Sequence, residues 1–324
     1  MSITNFPNGI SSFGVPVLGG GGIPATPGKV FFVDYGAGSD GNAGTDINEP
    51  LKTIAQAYSL VTTNKDDVIC LIGNSSHVLT SMLTVAKNRV HFVGLDGSGG
   101  RLYGQNAKIS MGVTTAATDV FAVKNTGVRN SFTNIKFLSS NTKTEHVSTV
   151  GDGGEYAKYT MCEFYASGKQ DSNTHSEMIL NGDSSQFFDC TFGSLATAVT
   201  GDKVRPAILT DNGTVAAGKV ARDNYFHNCR FWKKAGGTTT AMIYISADAD
   251  IERLVELHDC QFVANAAGST PAVAIYAGGN LTAGAVILTG DTAAFNCTKI
   301  ATAVGIFSGL TTKVATATIG IQTT

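Results

Sequence analysis

Phe187-Phe-Asp-Cys-Thr-Phe192 carries the pattern on which the fold turns: an apolar residue, a Cys three positions later, a Phe two positions beyond, and an acidic residue just before the Cys. Four more stretches repeat it, as Phe132-Ile135-Phe137, Tyr159-Cys162-Phe164, Phe226-Cys229-Phe231 and Leu257-Cys260-Phe262. The closing Phe residues lie 27, 28, 39 and 31 residues apart. Self-similarity at roughly 20 to 50 residues marks a stacked repeat architecture, so each copy reads as one coil of a solenoid.

Residues two apart in a strand share a face, so Cys190 and Phe192 point together into the core, as do Cys229 with Phe231 and Cys260 with Phe262. A bend residue precedes each copy. It is Asn134, Asp189, Asn228 and Asp259, with Asn296 before Cys297 in a weaker sixth copy that places Lys299 where the core Phe belongs; Met161 is the exception. Asn and Asp tolerate the left-handed backbone and bond nearby backbone groups, which suits a corner between strands. Stacked about 4.8 Å apart, such coils form ladders of like residues.

Composition agrees with this reading. The chain has 324 residues, 43% of them hydrophobic, 38 Gly and only 15% charged. A balance of 23 Lys plus Arg against 25 Asp plus Glu leaves no electrostatic footprint for nucleic acid or anionic lipid. Met1-Ser-Ile-Thr-Asn5 has neither the basic start nor the apolar stretch of a secretory signal, and no uncharged apolar run approaches a membrane span. Soluble behaviour is expected. The cysteines follow the coil spacing and match no zinc or disulfide framework, so they read as reduced, buried thiols; Cys70 stands apart.

Residues 1 to 28 form a Gly- and Pro-rich arm studded with Phe6, Ile10, Phe13 and Val17, apolar enough to be an assembly contact. Val30 to Asp34 reads as a strand, followed by the glycine-punctuated loop Gly36 to Thr45. After Pro50, Leu51, Ile54, Tyr58 and Val61 recur at spacings of three and four and predict a short amphipathic helix at about 51 to 63. Val68 to Ile72 and Val90 to Val93 read as buried strands.

This opening resembles that of pectin-lyase-like right-handed parallel β-helix proteins: strand, Gly36-Ala-Gly-Ser-Asp40, Gly44-Thr45, Pro50-Leu-Lys-Thr-Ile-Ala-Gln-Ala57, then Asp67-Val-Ile-Cys-Leu71. The resemblance implies an all-β, right-handed, single-stranded parallel β-helix over residues 29 to 290 whose helix caps the open N-terminal end. Residues 291 to 324 are then a β cap or an oligomer contact, since an open solenoid end must be covered.

Between the inward Cys and Phe lies an outward position, read across the coils as Lys136, Glu163, Thr191, Arg230 and Gln261. Family lyases and hydrolases bind substrate on such a face with carboxylates and Lys or Arg, so Lys136 and Glu163, with Asp171, Glu177 and Asp183, form the set to test for catalysis; an ordinary surface ion pair explains the first two equally. No catalytic residue is assigned. Tyr165, Tyr225 and Trp232 are the candidate glycan-binding aromatics. His227 and His258 stack in successive coils, but the one further ligand nearby, Asp259, is taken by the corner, so no metal is assigned. Asp34, Asp40 and Asp46 lack calcium-loop spacing and read as turn chemistry. The 39-residue coil carries about 11 extra residues within Gly201 to Ala221, an insertion of the kind that emerges on one face of a solenoid.

The start from Asn5 to Val17, running into this opening, resembles virion proteins of tailed bacteriophages. That implies a structural protein located in the virion: a head decoration or cement protein or a fibre component, assembled in the host cytoplasm, trimeric, partnered by capsid or tail proteins and needing no cofactor. The rivals are a depolymerase acting on host-surface glycan and a non-catalytic glycan-binding module.

Overall fold

The computed structural model describes residues 10–12, 15–17, 26–73, 75–95, 107–112, 120–139, 147–166, 176–194, 207–210, 214–234, 241–265, 273–277, 281, 284–295, 297 and 306–308. The chain is a right-handed parallel β-helix. Among the described residues, each complete coil contributes one strand to each of three parallel sheets, which hold ten, eight and seven strands because the end coils are partial. The first sheet runs from Val30–Val33 through Gln186–Phe188 to Ile306–Ser308, and the second from Ser76–Leu79 through Thr191–Ser194 to Ala293–Phe295. The third runs from Leu83–Val85 to Val273–Ala277. The parallel pairing thus continues past residue 290, because Ala293–Phe295 pairs with Gln261–Asn265 and Ile306–Ser308 with Gly284–Thr289.

A seven-residue helix, Ile54–Leu60, closes the N-terminal end, with Ile54 and Ala57 buried. It is shorter than the periodicity predicts because Leu51 already bridges Val33 as strand and Val61 is extended. Thr53 caps it, accepting from the Gln56 amide, while Asp40 accepts from the amides of Lys52 and Thr53. Asp34 likewise accepts from Gly36 and Ala37, and Asp46 from Asn48, so all three loop carboxylates hold backbone amides.

The corner between the first and second sheets is left-handed in successive coils: Asn134, Met161, Asp189, Asn228 and Asp259 have φ of 56°, 53°, 54°, 51° and 53°. The first four each donate their amide to the carbonyl of the residue two positions before the next coil's corner Cys, as Asp189 does to His227 at 3.0 Å and Asn228 to His258 at 2.9 Å, and Asp259 donates to Thr289. Met161 adopts the corner without a side chain that favours it, since the coils on either side impose the geometry. A second left-handed column, Arg89, Arg129, Tyr156, Ser184 and Asp223, turns the chain into the first sheet. Those side chains share no preference for that backbone, so the sequence carries no mark of it.

Two ladders of rings fill the core. Phe92, Phe132, Tyr159, Phe187 and Phe226 stack at 5.0, 5.0, 4.9 and 4.4 Å between centroids. Phe137, Phe164, Phe192, Phe231 and Phe262 stack at 5.2, 4.6, 5.1 and 4.8 Å. The ladders meet edge-on, Phe187 to Phe192 at 5.8 Å. Cys162, Cys190, Cys229 and Cys260 lie between them, fully buried and unbridged, each with Sγ near the carbonyl of a ring residue in the coil before. Burial pushes the Cys190 and Cys260 thiols up, away from the reactive thiolate. Cys70 stands on the outer face beside Val68 and Val93, where burial raises its pKa to about 12.

The sixth copy is not where its Cys placed it. Leu257 pairs with Leu288, and Phe262 with Ala294, so the next corner is Gly290-Asp291, Gly290 having φ of 60°. Thr292 takes the Cys place, donating its hydroxyl to Leu257 O at 3.1 Å. Asn296 and Lys299 lie outside the described residues. The first ring ladder has already given way to Leu257 one coil earlier, and the second ends here in Ala294.

Most of the enlarged coil's extra length falls between the third and first sheets. Ile208 to Phe226 takes 18 residues where the coil before takes 9 from Met178 to Phe187. Val215 folds back to bury itself against Phe121 and Ile179, its amide donating to Asn181 Oδ1, and Lys219 pairs with Glu155 at 2.5 Å. The insertion is a buckle across earlier coils. Lys203, Arg205, Asp211 and Asn212 lie outside the described residues.

Asp152 is wholly buried, accepting from Ser185 Oγ at 2.6 Å, Asn125 Nδ2 at 2.8 Å and the Gly154 amide at 3.3 Å. Burial raises its pKa. A raised folded-state value means that its stabilising contribution is complete below the unfolded value of about 3.9 and is lost as pH rises. Asp152→Asn should therefore gain in melting temperature over the wild type as pH goes from 4 to 8; a pH-independent difference in thermal melts would refute this. Met161→Asn should raise stability by about 1 kcal/mol in urea titrations, because Asn suits the left-handed corner; a loss would show that the Met side chain outweighs the backbone.

Candidate functional site

Outward positions of the second sheet form two columns. In the first, Lys108, Lys136, Glu163, Thr191, Arg230 and Gln261 follow one another in register. Lys136 Nζ lies 2.6 Å from Glu163 Oε1 and 5.3 Å from the Tyr165 ring centroid. This column is not the solvated row expected of an outer face, since Glu163 is 8% exposed and Thr191 fully covered. At this depth the Lys136 ammonium neutralises Glu163.

The second column carries the rings. Gly193 pairs with Trp232, and Tyr165 holds the equivalent place one coil earlier, next to Phe164, which pairs with Phe192. Both rings are partly exposed. The Arg230 guanidinium lies 6.0 Å from the Trp232 ring, as Lys136 does at its slightly shorter distance from Tyr165. Gly193 has φ of 87°, and a Cβ there would stand 2.1 Å from Trp232 O, so no side chain can occupy the rung between the rings. Two rungs of sheet set Tyr165 and Trp232 roughly 10 Å apart along the axis.

The other candidates do not join them. Glu177 stands on the third sheet in Ser176–Leu180, 8% exposed. Asp183 sits at the corner leading to the first sheet, 3.4 Å from Arg222 Nη1. Asp171 lies outside the described residues. The three described carboxylates therefore stand on three sides of the coil. Tyr225 belongs to the first sheet, 6.0 Å from Phe188 and 6.2 Å from His227. A further stacked pair outside the repeat motif, Tyr244 and Tyr276 at 5.0 Å, projects from the third sheet; the recurrence of Ile243-Tyr-Ile245 as Ile275-Tyr-Ala277 is its signal in the sequence.

His227 and His258 do stack, at 5.3 Å and 12°. With Asp259 they form the one cluster among the described residues that brings three metal-ligating atoms within 4.8 Å of one another. Of the arm, Ile10 and Val17 pair across a hairpin of Ile10–Ser12 with Val15–Val17, and Phe6 and Phe13 lie outside the described residues. Among the described residues no helix is long and apolar enough to cross a membrane.

Three stacked parallel sheets, a capping helix and inward ladders define a parallel β-helix, and this chain has that fold. Among solved structures it is similar to pectate lyase Pel9A, with a TM-score of 0.54 and 14% identity over 80% of this chain. It spans 62% of that enzyme's length. It is similar also to a pectin methylesterase variant in complex with a hexasaccharide, with a TM-score of 0.53 and 13% identity over 89% of this chain and 91% of that one. A rhamnogalacturonan lyase gives 0.51 and 14% over 82% of this chain and 68% of its own. No protein-family model matches the sequence, and no curated protein does.

Proposed function

We propose that the chain is a glycan-recognising β-helix whose second sheet is the binding face. The Tyr165–Gly193–Trp232 column carries this reading. Two part-exposed rings, separated by a rung that carries no side chain, offer apolar surface for sugar rings, and Arg230 beside Trp232 offers a cation for hydroxyls or carboxylates. The like-folded pectin methylesterase bound to a hexasaccharide supports an oligosaccharide as the ligand class. The reading is recognition, because the candidate carboxylates Glu163, Glu177 and Asp183 stand on different sides of the coil and Glu163 is bound to Lys136, whereas glycoside hydrolysis needs two facing one cleft.

A panel of acidic and neutral polysaccharides, screened by array and then by calorimetry, tests it. Binding by the wild type should fall at least tenfold in Trp232→Ala and in Tyr165→Ala, and stay unchanged in Tyr225→Ala on the first sheet. No binding across the panel, or equal binding by all four proteins, would sink the proposal. Release of new reducing or unsaturated ends would make the chain a depolymerase instead.

A second reading concerns where the body is mounted: as a virion component of a tailed phage, in trimers, held by residues 1 to 28. The hairpin of Ile10–Ser12 and Val15–Val17 supports it, since among the described strands these two pair only with each other. Two strands alone are marginal in water and need a covering surface. Deleting residues 1 to 28 should abolish incorporation into particles while the body keeps its melting temperature. Unchanged incorporation would refute the anchoring role.

A further inference from the structure

We infer that His227, His258 and Asp259 form a binding site for a first-row transition-metal ion of the zinc class, clamping two successive coils. The argument begins with protons. Thr289 Oγ1 lies 3.0 Å from Glu256 Oε1 and 2.8 Å from His258 Nδ1. A carboxylate only accepts, so the threonine hydroxyl donates to Glu256 and its oxygen accepts from His258 Nδ1–H. With the proton on Nδ1, the ring in its neutral form turns its Nε2 lone pair outward. That lone pair meets Asp259 Oδ2 at 3.3 Å, while Asp259 Oδ1 is occupied by the Asp291 amide at 2.7 Å. In that form two acceptors face each other across this gap, which a cation between them would relieve.

The geometry suits a metal. Zinc bonds of about 2.0 to 2.1 Å in a tetrahedron place neighbouring ligand atoms about 3.3 Å apart, the separation already found between His258 Nε2 and Asp259 Oδ2. His227, one coil below and stacked on His258, offers the third atom within 4.8 Å, and its part-exposed ring reaches the ion by side-chain rotation. The Glu256–Thr289–His258 chain is the outer support that metal-binding histidines need to fix their tautomer. Two imidazoles and one carboxylate select zinc, copper or nickel over calcium or magnesium, which prefer oxygen. The corner also explains why the cluster exists. Asp259 has φ of 53°, and that turn brings its carboxylate back beside the ring of the residue before it. The clamp sits where the first ring ladder gives way from Phe226 to Leu257, so the ion would tie coils that ring stacking no longer joins.

Calorimetry of the full, untagged chain with Zn²⁺ should show one site per chain and a raised melting temperature. Magnesium at the same concentrations should give neither. His258→Ala and His227→Gln should each weaken binding at least tenfold, and His91→Ala, remote on the same sheet, should leave it unchanged. His227→Gln is the decisive variant if His258→Ala impairs folding, because His227 lies outside the Thr289 bond. Cobalt substitution supplies the second readout: d–d bands without a thiolate charge-transfer band support the histidine site and exclude Cys297. No zinc binding by the wild type, or undiminished wild-type affinity in the His227 and His258 variants, would overturn the inference and leave an imidazolium–carboxylate pair.

Discussion

The spacing of hydrogen-bonded parallel strands, about 4.8 Å, is also a comfortable distance for stacked aromatic rings, and the rest of this molecule depends on that coincidence. A Phe placed at the same point of each coil meets its copies face to face, at 4.4 to 5.2 Å throughout the two ladders. Each stacked pair adds about 0.5 to 1.5 kcal/mol beyond burial, and it does so only in register. A slip by one residue would turn every ring outward. The ladders therefore fix the register as well as filling the core, and the left-handed corners repeat because the register does.

The same rule governs the surface. Whatever residue type stands outward in one coil lies beside its counterpart in the next, so properties that are scattered in sequence become columns: Lys136 over Glu163, Tyr165 two rungs from Trp232, His227 against His258. Solenoids gain stability mainly from nearest neighbours. The buckle from Val215 to Lys219 exceeds that rule, reaching back to Phe121 and Glu155 in earlier coils and tying together a stretch that stacking alone would join only pairwise.

Much of this was legible in the chain. The Phe-x-x-Cys-x-Phe repeat announced the inward ladders, and Asn134, Asp189, Asn228 and Asp259 announced the corner, because those side chains favour the backbone that the corner needs. The second corner was not legible. Arg129, Tyr156 and Ser184 take it under compulsion from neighbouring coils. The sixth copy misled for a related reason: Cys297 imitates the motif, but pairing assigns Ala294 and Thr292 to its places, and an added corner residue at Gly290-Asp291 moved the frame. Of the candidate carboxylates, spacing alone could say only that Asp171, Glu177 and Asp183 share a coil. A coil has three sides, and sequence does not say which side each occupies.

By itself, then, the sequence determined the class of fold, the phase of the coils from Phe132 to Phe262, and the identity of the residues that point inward there, because all of these follow from a period and an alternation. Tertiary structure alone decided which outward residues meet. Glu163 is buried against Lys136, Tyr225 is separated from Trp232, the insertion lies down across the third sheet, and the corner carboxylate of Asp259 turns back upon His258. These are matters of loop length and corner geometry between strands, summed over whole coils, and no local pattern encodes such a sum.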